Sequence, residues 1–198
     1  YYHLVRNFGD IPYIDVFISD PEAVKTINKT KEADVYAGII KDLEFGKQWL
    51  PDTYISDVRT RPTKATAASY LASVYLTLAN YAKAYTEAKW VIDNRNLYKY
   101  SLESDYQTLF RAEMGDNLVE HIFAVDFKAQ LSSGNQNDDL VGPMTGIRNV
   151  PQSGFGVCVP SLRVFTTWDS RDYRRKVSFE DSTVNAAGAK IGYLDFPN

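Results

Sequence analysis

RPTKATAASYLASVYLTLANYAKAYTEAKWVID, residues 61–93, reads as two helices joined at Asn80. At about 100° per residue, Ala68, Leu71, Ala72, Tyr75, Leu78 and Ala79 share one broad apolar arc. Thr66, Ser69, Ser73, Thr77 and Asn80 form a narrow polar stripe opposite. In the second helix Tyr81, Ala84, Tyr85, Ala88, Val91 and Ile92 share an arc, while Lys83, Glu87, Lys89 and Asp93 point elsewhere. Small residues at Ala72, Ala84 and Ala88 let the two axes approach closely, and Tyr75 fills the space beside them. The stretch therefore predicts a packed helical hairpin.

Upstream, Tyr1 to Asn7 reads as the last turns of a helix that Gly9 and Pro12 terminate into an extended exit. Asp15 to Asn28 reads as a loop. Thr30 is the expected N-cap of a helix over Lys31–Leu50, on which Val35, Tyr36, Ile39, Ile40, Leu43 and Leu50 share a face. Pro51 stops that helix, and Pro62 suits the first turn of the next. Trp49 is expected to pack against the hairpin. Trp90, opposite the apolar arc of its helix, is expected to be covered by another segment.

Downstream, Asn94 is expected to close the second helix in a left-handed conformation. Tyr98 to Tyr100 reads as extended, and Ser104 or Asp105 caps a brief helix through Phe110. His121 to Phe127 has the alternation of a strand. Lys128 to Val159 is a loop of roughly thirty residues rich in Gly, Ser, Asn and Asp, a length that in compact domains usually marks function or disorder. Ser161 to Trp168 reads as a short helix, Asp169 to Arg174 as a turn held by an Asp169–Arg171 ion pair, and Lys176 to Phe179 as extended. The tail after Asp181 is small and polar.

The spacing of Tyr75, Ala84, Ala88 and Val91 resembles the tetratricopeptide repeat, a unit of about 34 residues that buries its core only by stacking on neighbours. The fold class is thus all-α: tetratricopeptide-like helical hairpins with an irregular, loop-rich ligand-binding portion and a few short strands. Residues 1–198 read as a single domain, with a helical scaffold over 1–97 and the irregular portion over 98–198. Both ends read as cut, as in an internal fragment of a longer protein.

Several function classes are disfavoured. A net charge of −3 with scattered Lys and Arg gives no basic footprint for nucleic acid. The single Cys158 has no internal disulfide partner, and no Cys/His cluster has zinc spacing. Ala65 to Ala82 lacks charge, but its Ser/Thr stripe and terminal Asn80 fit a buried helix better than a membrane span. His3 and His121 are the only histidines, and neither lies in a nucleophile context. Carboxylate pairs could be drawn from Glu113, Glu120, Asp126 or Asp139, but a chain with 25 acidic residues permits many such pairs. Asn135, Asn137 and Asp139 alternate like the start of a calcium loop, yet Leu140 and Gly146 occupy its glycine and glutamate positions. No catalytic residue, metal site or cofactor is expected. Asn28-Lys29-Thr30 is formally a glycosylation sequon.

Phe8-Gly9-Asp10-Ile11-Pro12 after a helix end, Asp42-Leu43 with Leu50-Pro51 on the next helix, and Arg61 with the Ala-rich hairpin of Tyr75 and Leu76 together resemble the SusD/RagB family. Glu120-Ile122-Phe123 and the Asp169-Ser170-Arg171 turn continue the likeness in order. The resemblance implies a nutrient-binding lipoprotein of Bacteroidetes outer membranes, exposed at the cell surface. It also implies a non-enzymatic subunit that binds oligosaccharide and sits as a lid on a SusC-like TonB-dependent transporter. The lipidated N-terminal cysteine that anchors family members is not in this sequence. Sugars are held by aromatic stacking and planar polar side chains. On that chemistry the expected ligand contacts are Asn137, Asp139, Arg148, Asn149, Phe155 and Trp168; Trp168 also reads as a core residue of its helix. A tetratricopeptide-type protein- or peptide-binding scaffold, including one for peptide uptake, is the second reading.

Overall fold

The computed structural model describes residues 1–55, 58–111, 118–125, 144–147 and 154–192. These fall into two compact units, Tyr1–Leu102 with Asn117–Ala124, and Glu103–Asp116 with Val125–Asn198.

In the first unit, α1 (Tyr2–Phe8), α2 (Glu32–Trp49), α3 (Lys64–Thr77) and α4 (Tyr81–Asp93) carry the core, with a 3-10 turn at Pro21–Thr26 inside the segment expected to be loop. The hairpin forms, and α3 packs against both α2 and α4, though Leu78 and Ala79 of the expected arc are exposed past the helix end and Thr66 of the polar stripe is buried in the cap. Its start is fixed by a capping box: Thr63 accepts from the Thr66 amide while the Thr66 hydroxyl accepts from the Thr63 amide. Pro62 therefore lies just outside the helix. Between α3 and α4 the chain reverses through Ala79, at φ 56°, and the Asn80 side chain caps α4 at the Lys83 amide. Leu71, Val74, Tyr75, Ala68 and Ala84 are buried. Each large side chain so removed from water contributes roughly 1.5–3 kcal/mol before entropy is counted. Tyr81, Tyr85, Ala88 and Ile92 of the expected α4 arc are exposed, leaving Ala84 and Val91 as its buried members.

The start of α2 differs from expectation for a specific reason. Thr30 is not its cap; the Thr30 amide donates to the Ile11 carbonyl at 2.8 Å in an isolated antiparallel bridge. The capping oxygen comes from Asp10, whose carboxylate accepts from the Glu32 amide at 2.9 Å and from Lys31 Nζ at 2.8 Å. Gly9, at φ 64°, turns the chain out of α1 and delivers Asp10 there. The Phe-Gly-Asp stretch is thus a structural clasp between α1 and α2. Val5, Ile11, Val35, Tyr36, Ile39 and Val74 form the cluster beneath it.

After α4 the chain does not extend. Asn94 closes the helix at φ −96°, and residues 94–99 form consecutive turns, with Lys99 at φ 54°. Tyr98 is 1% exposed, stacked on Tyr100 and packed against Trp90, which is half-buried as expected. Lys47 lies 4.5 Å over the Trp90 ring and pairs with Glu87 at 2.6 Å, joining α2 to α4. Buried Arg59 donates to the Tyr98 and Lys99 carbonyls, both at 3.1 Å, and lies 4.7 Å over the Tyr100 ring. Trp49, expected to pack, is 67% exposed beside Phe45. The described part of the expected strand, His121–Val125, is irregular chain with a bend at Ile122 and Phe123 instead. The Ala124 amide ties it to the Arg59 carbonyl at 3.0 Å, and Ile122 packs on the Tyr98 cluster.

The second unit holds a 3-10 turn at Tyr106–Phe110, capped by Asp105 as expected, then α5 (Leu162–Thr167) and α6 (Tyr173–Ser178). Its strands β1 (Ser182–Val184) and β2 (Lys190–Gly192) are antiparallel, with Thr183 opposite Ile191. Lys176–Ser178, read as extended, completes α6 because the Asp172 carboxylate caps it at the Arg174 amide. The polar tail makes a hairpin because Asn185 Oδ1 accepts from the Ala187 and Ala189 amides and Gly188 takes φ 81°. No helix among the described residues is long and apolar enough to cross a membrane.

Candidate functional site

Of the loop read as ligand-binding, residues 144–147 and 154–159 are described. Residues 154–158 run back along 144–147: the Gly154 amide donates to the Ile147 carbonyl, Gly156 to Gly146, and Val157 and Cys158 to Met144, at 2.8–3.0 Å. Glycine is required at the contact, since a Cβ on Gly154 would fall 2.5–2.6 Å from the Gly146 backbone. Gly156, at φ 57°, lets the chain turn between those bonds. Beside this pairing lies an open cleft of about 710 Å³, between Thr145–Ile147, Cys158–Pro160 and the end of α6 at Val177–Glu180. Its walls are apolar at Ile147, Val159 and Phe179, with Thr145, Ser178 and Glu180 as polar groups. An apolar wall with a few fixed hydrogen-bonding groups is the composition of a small-molecule cleft.

The wall at Phe179 is held from behind. Phe165 and Trp168 meet it edge-on at centroid distances of 5.6 and 5.3 Å, and Arg175 lies 4.6 Å over Phe165. The Trp168 indole N–H donates to Asp172 at 3.0 Å, and Arg174 grips the same carboxylate with bonds down to 2.6 Å. The Arg174 bonds, then the indole, hold the Asp172 carboxyl well below the usual carboxylate range. Asp169 and Arg171 form the expected local ion-pair turn, and Tyr173 donates to Asp105 at 2.8 Å.

Of the residues expected to contact ligand, Asn137, Asp139, Arg148 and Asn149 lie outside the described residues. Phe155 is 55% exposed on the returning segment, between the two glycines. Trp168 is half-buried, its nitrogen already paired and its edge against the cleft wall. Sequence reasoning missed Phe179 and its neighbours on α6 because that segment was read as extended. The signal was Asp172, four residues beyond Trp168 and immediately before Tyr173, where it caps the next helix. Among the described residues no group of three or more His, Cys, Asp or Glu could hold a metal ion.

A family model described as "Starch-binding associating with outer membrane" matches residues 1–76. Over 99% of its length the chain is 47% identical to SusD-like protein P2 of Formosa agariphila, and it spans 39% of that protein. SusD-like protein P25 of the same organism is 23% identical over 70% of the chain. Among solved structures, surface glycan-binding protein A from Bacteroides uniformis superposes over 98% of this chain and 42% of its own, with TM-score 0.71 and 17% identity. A SusD-like protein from Bacteroides fragilis covers 65% of this chain and 25% of its own, with TM-score 0.53 and 24% identity. The fold is the mostly helical, tetratricopeptide-like one.

Proposed function

This chain belongs to the SusD/RagB, or SusD-like, family, and on that premise we propose that it is part of a non-catalytic oligosaccharide-binding subunit of an outer-membrane uptake complex. The observation that carries the reading is 47% identity to a SusD-like protein along essentially the whole chain. The irregular portion holds the sugar, with Phe155 and the Trp168 ring offering stacking faces and Asn137, Asp139, Arg148 and Asn149 serving hydroxyl groups. The cleft bounded by Ile147, Val159 and Phe179 is the apolar part of that surface. The helices of the first unit are the rigid support, and the complete protein acts at the cell surface, lipid-anchored, with a TonB-dependent SusC-like transporter. Affinity is modest, because the cargo must be released into the transporter.

Electrophoresis of the chain through native gels cast with individual polysaccharides tests this. Retardation by at least one polysaccharide, relieved by Ser178→Asp in the cleft, is the expected result. Unchanged mobility across a broad panel would sink the carbohydrate reading.

A second reading has its own observation. Leu76, Tyr81 and Tyr85 are exposed along an open apolar furrow between α3 and α4 with Ala72, Ala84 and Ala88. That surface suits a helix, as a protein- or peptide-binding scaffold would need. Peptide binding weakened by Tyr85→Asp but indifferent to Ser178→Asp would favour it.

A further inference from the structure

One face of α3 is unlike an ordinary solvent face. From Ala65 to Thr77 the helix carries no charged residue, and the side turned away from α2 and α4 presents hydroxyls and a phenol rather than Lys or Glu. Against it lies the segment through Ile122 and Phe123, tied down by the Ala124 amide on the Arg59 carbonyl and by the Tyr100 hydroxyl on the Ile122 carbonyl at 3.4 Å. Together they enclose an open groove of about 190 Å³ lined by Thr66, Ser69, Tyr70, Ser73, Ile122 and Phe123. That is below the roughly 300–1,000 Å³ of sites for drug-sized ligands.

The hydrogen-bonding state of the lining groups is specific. Thr66 is committed to the helix cap, and the Ser73 hydroxyl donates to the Ser69 carbonyl but keeps its lone pairs. Among the described residues neither the Ser69 hydroxyl nor the Tyr70 phenol has a partner, and Tyr70 is 37% exposed. We infer that this groove is a binding subsite for a single neutral pyranose ring. The C–H face of the sugar stacks on Tyr70 or Phe123, and its hydroxyls exchange hydrogen bonds with Tyr70, Ser69 and Ser73. An apolar side chain from a protein partner would cover the same floor but leave the Ser69 and Tyr70 hydroxyls unpaired, a cost of about 1–3 kcal/mol for each buried group. An uncharged lining offers an acidic or basic ligand no counter-charge. The inference rests on the carbohydrate reading for its ligand class only; its site is in the first unit, whereas the cleft is in the second.

Saturation-transfer NMR on the full chain, with methyl α-D-glucopyranoside and methyl β-D-galactopyranoside as probes, tests the assignment. Transfer to ring protons of at least one probe is expected. It should fall about fivefold or more in Tyr70→Ala, as loss of an aromatic face predicts, and equally in Ser69→Asp, which places charge and bulk in the groove. Val184→Asp, at an exposed position outside both the groove and the cleft, should leave it intact. Circular dichroism identical to the parent shows that both groove variants fold. Transfer that survives both groove variants, or that Val184→Asp removes, overturns the subsite. So does absence of transfer from both probes. If oligosaccharide binding persists in that last case, the groove alone has failed and the cleft stands.

Discussion

Tyr98 shows how much one side chain can organise in this chain. Its ring fills the space between α3 and α4 beside Ala65, Ala68 and Val91, and its hydroxyl donates to Asp52 at 3.2 Å. Burial first, then the nearby Asp52 charge, pushes the phenol well above its ordinary value. The folded state thus favours the protonated phenol more than the unfolded chain does. Its contribution is complete below the ordinary tyrosine value near 10 and is lost as pH rises through the higher folded value. Tyr98→Phe should cost about 1 kcal/mol at neutral pH through the lost hydrogen bond. It should also reduce the fall in stability as pH rises above about 10, read from urea midpoints. An unchanged alkaline slope would show that Tyr98 does not carry it.

Tyr98, Arg59 and Trp90 also mark where the sequence stops being legible. Trp90 was readable as covered because it lies off its helix's apolar arc. Arg59 was not, since its burial depends on two carbonyls that only the turn after α4 presents. That turn requires Lys99 at positive φ, a conformation no local residue signals. Trp49 was misjudged for the opposite reason: a large aromatic reads as core, yet its place on α2 leaves it in solvent.

At the scale of elements, periodicity located α2, α3 and α4 and the core-facing residues of α2 and the first half of α3, but on α4 it found only Ala84 and Val91, because a helix repeats its environment every few residues only where a neighbour covers it. Ends were harder. α2 takes its cap from Asp10, twenty-two residues before Glu32, so no local motif could show it. Lys31, then the Glu32 amide, holds the Asp10 carboxyl below its ordinary value, so its contribution is present above the carboxylate range and lost as pH falls through it. Asp10→Ala should lower the melting temperature at neutral pH, and Asp10→Asn should restore part of the loss by keeping an acceptor. Equal melting of all three would remove the clasp from the account. The pairing of 154–158 with 144–147 makes a separate prediction. Gly154→Ala should drive residues 154–158 off 144–147, seen as faster hydrogen exchange at the Gly156 and Val157 amides, while α2 and α3 keep their protection. Unaltered exchange there would contradict the close approach to Gly146.

For the whole molecule, the two units divide the account. The first owes its form to helical arcs that the sequence displays openly, and its likeness to SusD-like chains was legible in the order of short motifs. The second was legible in α5, its Asp169–Arg171 turn and the Asp105 cap, but not in α6 or the β-hairpin, which rest on single capping carboxylates and amides. Of the expected ligand contacts, Phe155 and Trp168 fall among the described residues, and Phe179 joins them as the wall that Trp168 supports. Composition gave the chemistry of a sugar surface but no distances. Isothermal calorimetry of the chain and of a variant lacking residues 130–156, each against oligosaccharides and peptides, tests the central claim most directly. The account predicts oligosaccharide binding that the deletion weakens severely; peptide binding alone, surviving the deletion unchanged, would contradict it.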